Sequence, residues 1–165
     1  MLSIRPFRAP DWPEVWAMLH ATFAAGETYS FAPDIGEAEA RNAWIDLPQA
    51  TFVAEQDGRI LGTYFIKANQ PGLGSHVCNC GYVVAVGAQG RGIAARMCEH
   101  SQRWAVEQGF RAMQFNFVVS TNERAVALWL SLGFAIVGTL PGAFHHQRLG
   151  YVDAYVMFRP LAREA

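Results

Sequence analysis

A glycine-rich segment, GAQGRGIAARM at residues 87–97, is the part of the sequence most typical of a ligand-binding site. A short β-branched run precedes it, and a predicted helix begins at Ile93. Glycines expose main-chain N–H groups and a helix N-terminus carries partial positive charge, so the segment can bind an anion such as a pyrophosphate. A tight strand-to-helix turn that binds nothing is the structural alternative.

Two familiar phosphate-binding patterns fit this segment poorly. The Lys-Ser/Thr pair of a P-loop is absent, which argues against that kind of nucleoside triphosphate site. Residues 90–95 satisfy the dinucleotide fingerprint G-x-G-x-x-A, but the following strand, QFNFVVSTN, offers no acidic residue for a ribose. A dinucleotide site is therefore a weak interpretation.

Composition limits the classes of function. A chain of 165 residues with 52% apolar content predicts one domain, residues 1–165, with a substantial core. The net charge of −1 argues against nucleic acid and anionic membranes as partners. Without a membrane-length apolar run or a secretion signal, we expect a soluble, cytoplasmic protein. Cys78, Cys80 and Cys98 lack metal-ligand or redox spacing, so we expect free buried thiols and no metal site.

Alternating strands and helices surround the glycine-rich segment, in the predicted order βααβββαβαββ, which indicates a mixed α/β (α+β) fold. The predicted strands cover residues 2–7, 51–56, 59–68, 76–86, 111–119, 134–140 and 151–161. The predicted helices cover residues 12–25, 36–47, 93–108 and 123–132. Asp11 is predicted to cap the first helix, and Asp57-Gly58 predicts a type I′ hairpin turn.

Two motifs together resemble the GNAT superfamily of acyl-CoA-dependent N-acyltransferases. The run Gln89-Gly90-Arg91-Gly92-Ile93-Ala94 matches that family's pyrophosphate loop, Gln/Arg-x-x-Gly-x-Gly/Ala, at every defined position. Residues 122–134, NERAVALWLSLGF, match Asn-x-x-Ala-x-x-Leu-Tyr-x-x-x-Gly-Phe with Trp129 in place of the tyrosine. One helix and one strand separate the motifs, and the element order extends the resemblance over nearly the whole chain.

The resemblance implies both the architecture and the cofactor. It implies a mostly antiparallel mixed sheet that splays between strands four and five, flanked by about four helices. Acetyl-CoA is the implied cofactor, with its pantetheine arm bonded to the backbone of Val84 and Val86 and its pyrophosphate on residues 89–94. Asn122, besides capping its helix, is implied to contact the cofactor arm, and Trp129 lies at the same site.

Acetyl transfer to an amine makes two chemical demands. The amine is largely protonated at neutral pH and must lose a proton, and the oxyanion needs a hydrogen-bond donor. The resemblance implies a backbone N–H near Tyr82 to Val84 as that donor. The family's usual acid for the leaving thiolate is the tyrosine that Trp129 replaces, and an indole cannot serve. Tyr151, water or no acid at all are the alternatives.

Several residues are candidates for the acceptor end. Asn79 and Asn116 lie in apolar strands, where an unpaired amide costs about 1–3 kcal/mol. They either bond neighbouring backbone at the splay or orient the amine or a carboxylate. Tyr29 and Phe31 either line the acceptor pocket or pack the helix junction, and Tyr82 is a further substrate-side candidate.

Few side chains are candidates for the base. Glu27 and Asp153 could act directly or through water, although each has a structural alternative as a solvated or paired carboxylate. His76 and the His145-His146 pair are further candidates, because imidazole is a common general base, and Arg148 could bind a substrate carboxylate or simply lie at the surface.

The sequence therefore predicts an acetyl-CoA-dependent N-acetyltransferase that acts on a small amine by direct attack in a ternary complex. The asparagine spacing resembles a fungal branch that acetylates proline-like amino acids, whereas ETYSF and GYVDAYVMFRPL resemble the amino-acid and phosphinothricin acetyltransferase branch. Both imply an amine that bears a carboxylate, and the second branch implies a possible homodimer. A protein or peptide N-acetyltransferase and a non-catalytic acyl-CoA sensor are the alternatives.

Overall fold

A seven-stranded sheet lies at the centre of the computed structural model, which describes residues 1–161. The strands are β1 (Ser3–Pro6), β2 (Ala50–Gln56), β3 (Arg59–Ala68), β4 (Val77–Val84), β5 (Ala112–Val119), β6 (Ala135–His146) and β7 (Gly150–Pro160). The helices are α1 (Trp12–Ala25), α2 (Glu37–Arg41, extended by a π-helical turn over Asn42–Asp46), α3 (Ile93–Glu107) and α4 (Glu123–Ser131).

The strands lie in the order β1-β2-β3-β4-β5-β7-β6, and neighbours are antiparallel except for the parallel pair β4–β5. The predicted element order and the mostly antiparallel mixed sheet are therefore confirmed. Asp57 and Gly58 have φ angles of 53° and 75°, the left-handed values that a type I′ turn requires.

Helices cover both faces of the sheet and bury two apolar clusters. Helices α1 and α2 pack on one face, where Phe23 and Trp44 meet Val83 of β4. Helices α3 and α4 pack on the other, where Met97 and Trp129 meet Cys80. Alternate residues of β4 therefore contact opposite layers, as the two-residue period of a strand requires. Within residues 1–161, no helix is long and apolar enough to cross a membrane.

The sheet splays between β4 and β5. Their pairing joins only Val77 to Ala112 and Cys78 to Met113, and then the strands separate. The next β5 carbonyl, that of Gln114, accepts a hydrogen bond of 3.0 Å from Asn79 Nδ2. The asparagine side chain thus takes the place of a main-chain hydrogen bond where the paired segment ends.

Main-chain groups of β4 point alternately to the two sides. Ala85 N donates to Leu61 O, and Val77 O accepts from Asn69 N, so odd-numbered residues bond β3. His76 O accepts from Arg111 N, so even-numbered residues face β5. Because β5 has moved away, the main-chain groups of residues 80, 82 and 84 face the open splay instead of a neighbouring strand.

Three local predictions need correction. Asp11 does not cap α1; its carboxylate pairs with Arg5 and accepts from Arg8 N, because Asp11 itself lies in a preceding 3-10 turn. Strand β6 extends to His146 rather than residue 140, so the two late histidines lie on a strand and not in a loop. Strand β4 ends at Val84, and Val86 begins a 3-10 turn with an exposed side chain.

Candidate active site

A cleft of about 830 Å³ runs through the splay from the α3–α4 side to the α1 side. Its volume is within the range of small-molecule and cofactor sites. It is lined by β4 residues 79–84, β5 residues 115–119, the glycine-rich segment, the start of α4 and the loop that follows α1. The two sequence motifs and the aromatic loop thus meet at one cavity.

The glycine-rich segment forms one end of the cleft, and its main-chain groups suit an anion. Gly90 and Gly92 have φ angles of 78° and 75°, which L-residues with side chains rarely adopt. Helix α3 begins at Ile93 with no side-chain cap, so its first N–H groups are free to bond a ligand. Gln89, Gly90, Gly92, Ile93 and Ala94 line the cleft, and this geometry fits a pyrophosphate.

Two arginines near this end have different positions. Arg124, on the first turn of α4, lies so close to Gly90 that a Cβ there would be 2.8 Å from its Nη2 atom. Arg124 lines the cleft and adds a positive charge to it. Arg91 was predicted to bind cofactor, but its side chain donates to Gln56 Oε1 at 3.2 Å and does not line the cleft.

Helix α4 contributes the second motif. Asn122 caps it by accepting from Ala125 N at 3.4 Å, as predicted, and it also lines the cleft. Trp129 is buried, with its ring 5.1 Å from that of Tyr82 and 5.0 Å from that of Phe115, and it lines the cleft. At this position the chain therefore has an apolar wall and no proton donor suited to a thiolate.

Amides and aromatic rings line the α1 side of the cleft. Asn79 is buried and bonded to Gln114 O, whereas Asn116 is exposed and donates to Asn69 Oδ1 at 2.6 Å. Both asparagines line the cleft, and Asn79 also bonds neighbouring backbone as one alternative predicted, while orientation of an acceptor by either amide stays a prediction. Phe31 lines the cleft from the loop after α1.

Tyr29 and Tyr82 meet through the backbone of β4. The Tyr29 hydroxyl accepts from Tyr82 N at 2.8 Å and donates to Tyr82 O at 2.9 Å. The Tyr82 side chain points to the α3 layer, where its hydroxyl bonds Ser101 Oγ at 2.7 Å and burial raises its pKa. Tyr82 therefore presents main-chain groups, and not its phenol, to the substrate side.

The predicted base Glu27 is engaged by an arginine. Arg148 Nε donates to Glu27 Oε1 at 2.5 Å, and this hydrogen bond lowers the pKa of Glu27 below its usual range. Beside this ion pair, Gln147 N donates to Gly26 O at 3.2 Å. The β6–β7 turn therefore holds the loop that carries Tyr29, and neither Glu27 nor Arg148 lines the cleft.

Asp153, a candidate base, and Tyr151, a candidate acid, both lie outside the cleft. Asp153 is exposed and accepts from Gly142 N at 2.9 Å, across the β6–β7 hairpin. Tyr151 is 75% exposed and stacks on His145 at 4.6 Å. Both side chains of the β6–β7 hairpin therefore face solvent.

The histidines do not enter the cleft either. His76 lies in a separate shallow depression near Gln49 and Phe110. His146 is buried, and its Nδ1 accepts from Arg148 N and Leu149 N, both at 3.1 Å. This histidine therefore shapes the turn that holds the Glu27 loop.

The three cysteines are free and buried, as predicted. Burial raises the pKa of Cys98 to about 11 and that of Cys80 well above its ordinary value. Such thiols are poor nucleophiles at neutral pH.

Some lining residues carried no sequence signal. Arg124 occupies an undefined position of its motif, and Thr22, Thr28, Ser30, Phe65 and Phe117 belong to segments whose proximity depends on the fold. Only the placement of Arg124 on the first turn after the Asn122 cap could have suggested that it faces the glycine-rich loop.

A splayed mixed sheet with a pyrophosphate-type loop at the splay defines an acyl-CoA-binding acetyltransferase class. The family model described as the Acetyltransferase (GNAT) family matches residues 10–134. This chain belongs to the GNAT acetyltransferase family, whose usual cofactor is acetyl-CoA.

Individual relatives agree with that assignment. The N-acetyltransferase aca1 of Schizosaccharomyces pombe is 36% identical over 100 residues, which are 59% of this chain and 47% of that protein. The chain spans less than half the length of the curated relatives that it matches. A GCN5-related N-acetyltransferase from Kribbella flavida is 44% identical with a TM-score of 0.93, covering 97% of this chain and 98% of that one.

A third relative supports the fold alone. A phosphinothricin acetyltransferase from Sinorhizobium meliloti, solved in complex with AcCoA, has a TM-score of 0.83 at 19% identity, over 98% of this chain and 89% of that one. A cytoplasmic location, one domain over residues 1–165 and a homodimer stay predictions.

Proposed function

We propose that this protein is an acetyl-CoA-dependent N-acetyltransferase whose acceptor is the amine of a small molecule, specifically an amino acid or an amino-acid analogue. The observation that carries this proposal is the composition of the acceptor end. Among the described residues that line the cleft there is no Asp or Glu, which a groove for a lysine-rich peptide would need. Aromatic rings and neutral amides suit a small, uncharged or zwitterionic acceptor instead.

Two asparagines would orient that acceptor. A carboxamide nitrogen has two N–H donors, and one is already used in each case: Asn79 bonds Gln114 O, and Asn116 bonds Asn69 Oδ1. The second N–H of each amide is left for a ligand. Two neutral donors that line one cleft can together bind a carboxylate, which supports an amino acid as the acceptor.

The opposite end would hold the cofactor. Residues 89–94 and Arg124 would bind its pyrophosphate, and the main chain of Val84 would bond the pantetheine arm as an added strand does. Bound acetyl-CoA supplies an acetyl thioester that an amine can attack. A role for Val86 is less direct, because it lies beyond the end of the strand.

We propose direct attack in a ternary complex, with cleft water accepting the proton of the amine. Glu27 is a weaker base than a free carboxylate because Arg148 lowers its pKa, and it lies outside the cleft lining. Water linked to Glu27 remains a route for the proton. A covalent cysteine route is disfavoured because burial raises the pKa of Cys80 and Cys98.

Thiol release from acetyl-CoA tests the proposal. The acceptor panel contains amino acids, proline analogues, polyamines, aminoglycosides and peptides, and CoA binding is measured in parallel by calorimetry. We expect turnover with one or more amino acids or analogues. Turnover confined to peptides would support the protein-acetyltransferase alternative, and tight CoA binding without turnover would support the sensor. Absence of CoA binding would contradict the proposed function altogether.

A further inference from the structure

The Tyr29 hydroxyl is a polar group of the cleft that has no role in the cofactor loop or in the pair of asparagines. It is the partner of both main-chain groups of Tyr82, at 2.8 Å to the nitrogen and 2.9 Å to the oxygen. Those groups are among the β4 groups that face the splay after β5 departs. Tyr29 therefore occupies a hydrogen-bonding position on the part of β4 that lines the cleft.

The surrounding residues are arranged to admit this hydroxyl. A Cβ on Gly81 would be 3.2 Å from the Tyr29 oxygen and 2.5 Å from the Phe65 ring. Any side chain at position 81 would therefore push these two rings away from β4. The absence of a side chain lets the phenol approach the strand backbone.

The Tyr29 ring is fixed by other aromatic rings. Its centroid lies 5.5 Å from that of Phe23, 5.9 Å from that of Trp44 and 6.2 Å from that of Phe31. These contacts are edge-on or stacked, which are the favourable geometries for aromatic pairs. The hydroxyl is thus pre-positioned and loses little side-chain freedom when it bonds a ligand.

We propose that Tyr29 is a catalytic residue whose O–H, together with the Tyr82 N–H, donates a hydrogen bond to the carbonyl oxygen of the acetyl thioester. The inference rests on the proposed acetyl transfer. A carbonyl oxygen only accepts hydrogen bonds, so it competes with Tyr29 for the Tyr82 N–H. The Tyr29 proton then turns from Tyr82 O to the arriving oxygen.

The transfer step needs such donors. The acceptor nitrogen forms a bond to the acetyl carbon, and the carbonyl π electrons move to the oxygen. The negatively charged oxygen then accepts hydrogen bonds from Tyr82 N–H and Tyr29 O–H. The C=O bond then re-forms, the carbon–sulfur bond breaks with its electron pair on sulfur, and the proton released by the nitrogen reaches the thiolate through water. Donors aimed at the developing negative charge accelerate this step.

Tyr29 acts as a donor and not as a proton source. Burial of its hydroxyl is the main cause that raises the pKa of Tyr29 above its ordinary value. The phenol therefore stays protonated across the physiological range, and a raised pKa makes it a weaker acid toward a leaving thiolate.

Isotope-edited infrared spectroscopy tests the hydrogen bond without an acceptor. The probe is acetyl-CoA labelled with ¹³C at the acetyl carbonyl, bound to the wild type, to Tyr29→Phe and to the control Tyr64→Phe. Tyr64 is a buried tyrosine whose hydroxyl bonds His100 Nδ1 at 2.7 Å and does not line the cleft. We expect the carbonyl band at lower frequency in the wild type and in Tyr64→Phe than in Tyr29→Phe.

Kinetics provide the second measurement. Removal of one oxyanion donor lowers kcat by about 100-fold in enzymes of known mechanism. We expect a loss of about that size in Tyr29→Phe, with the KM for acetyl-CoA nearly unchanged and no comparable loss in Tyr64→Phe. Thermal unfolding of both variants checks that the aromatic layer still folds.

The outcomes separate this inference from the proposed function. A carbonyl band in Tyr29→Phe at the wild-type frequency overturns the inference even if kcat falls, because Tyr29 would then only support β4. An unchanged kcat also overturns it. If no amine turns over, the band still decides, since it needs bound acetyl-CoA alone. If acetyl-CoA does not bind the wild type, both proposals fail.

Discussion

The two ends of the cleft are built from the chain in different ways. The proposed anion-binding end comes from residues 89–95 and the first turns of α4, two short segments whose residue types and spacing are local motifs. The proposed acceptor end combines the loop after α1 with positions on β3, β4 and β5. The first end is therefore specified by local sequence motifs, whereas the second depends on how the strands of the sheet are arranged.

The ends also differ in charge and in support. The anion-binding end has left-handed glycines, an uncapped helix N-terminus and Arg124. The acceptor end has amides and aromatic rings, and its loop is held from outside by the Glu27–Arg148 pair. Changes at the two ends should therefore affect CoA binding and acceptor binding separately.

Of the variants that separate the two ends, Gly92→Ala is expected to have the largest effect, which is on CoA binding. A Cβ at a φ of 75° strains the loop and turns its N–H groups from the ligand. Two main-chain hydrogen bonds of about 1 kcal/mol each correspond to about 30-fold in the Kd for CoA. Calorimetry with CoA measures this.

Gly58→Ala is the matched control, because Gly58 has the same φ of 75° and open space around it but lies at the β2–β3 turn. Both variants should lose similar stability in thermal unfolding. Equal CoA affinity in the two would contradict the assignment of the glycine-rich loop.

Arg124→Ala should weaken CoA binding by about tenfold, because a charge-assisted hydrogen bond at an exposed site contributes about 1.5 kcal/mol. The loss should shrink at high salt, since the arginine is exposed. The comparison variant is Arg91→Ala, whose guanidinium bonds Gln56 away from the cleft. An equal loss of CoA affinity in Arg91→Ala would show that Arg124 acts only through the net charge of the protein.

Asn116 variants report on the acceptor. Loss of one neutral hydrogen bond in Asn116→Ala should raise the KM for the acceptor about fivefold and leave the Kd for CoA unchanged. Asn116→Asp sharpens the test, because a carboxylate there repels an acceptor that carries one. A larger KM than in the alanine variant would support an amino acid, and a smaller one would support a simple amine.

The smallest effect is expected from Arg148→Gln, which releases the acceptor loop from the β6–β7 turn. Since the pair is largely exposed, the acceptor KM should rise by about twofold, and Glu27→Gln should behave alike. The pKa of Glu27 is lower in the folded state than in the unfolded chain. The ion pair therefore stabilises the loop at pH values above the ordinary carboxyl pKa, and this stabilisation is lost as the pH falls through the lowered pKa. The acceptor KM of both variants should therefore match that of the wild type at acid pH. A difference in KM that grows as the pH falls would contradict the proposed role of the ion pair.

Prediction from the sequence succeeded where short-range rules apply. Asp57-Gly58 specifies its turn by left-handed φ angles, and Asn122 specifies the start of α4 by capping it. Prediction was less accurate where residues distant from a helix end compete for the side chain that would cap it. Asp11 has the type of a helix cap, but Arg5 on the neighbouring strand takes its carboxylate.

The candidate site divides in the same way. The contributions of Gln89, Gly90 and Gly92 to the cleft follow from their spacing before a helix. Asp153 lies outside the cleft and Glu27 pairs with Arg148 because of where the β6–β7 hairpin lies. No local sequence pattern predicts the position of that hairpin.

The sequence by itself determined the element order, the glycine-rich loop before α3 and the family of this protein, because glycine conformations, helix caps and apolar periodicity act between near neighbours. Only the tertiary structure decided which side chains line the cleft. The splay of β4 from β5 leaves the main chain of Tyr82 facing the cleft, and Gly81 lets Tyr29 bond it across 53 residues of chain. Such contacts depend on the positions of whole strands and helices, which the order of residues within any one segment does not specify.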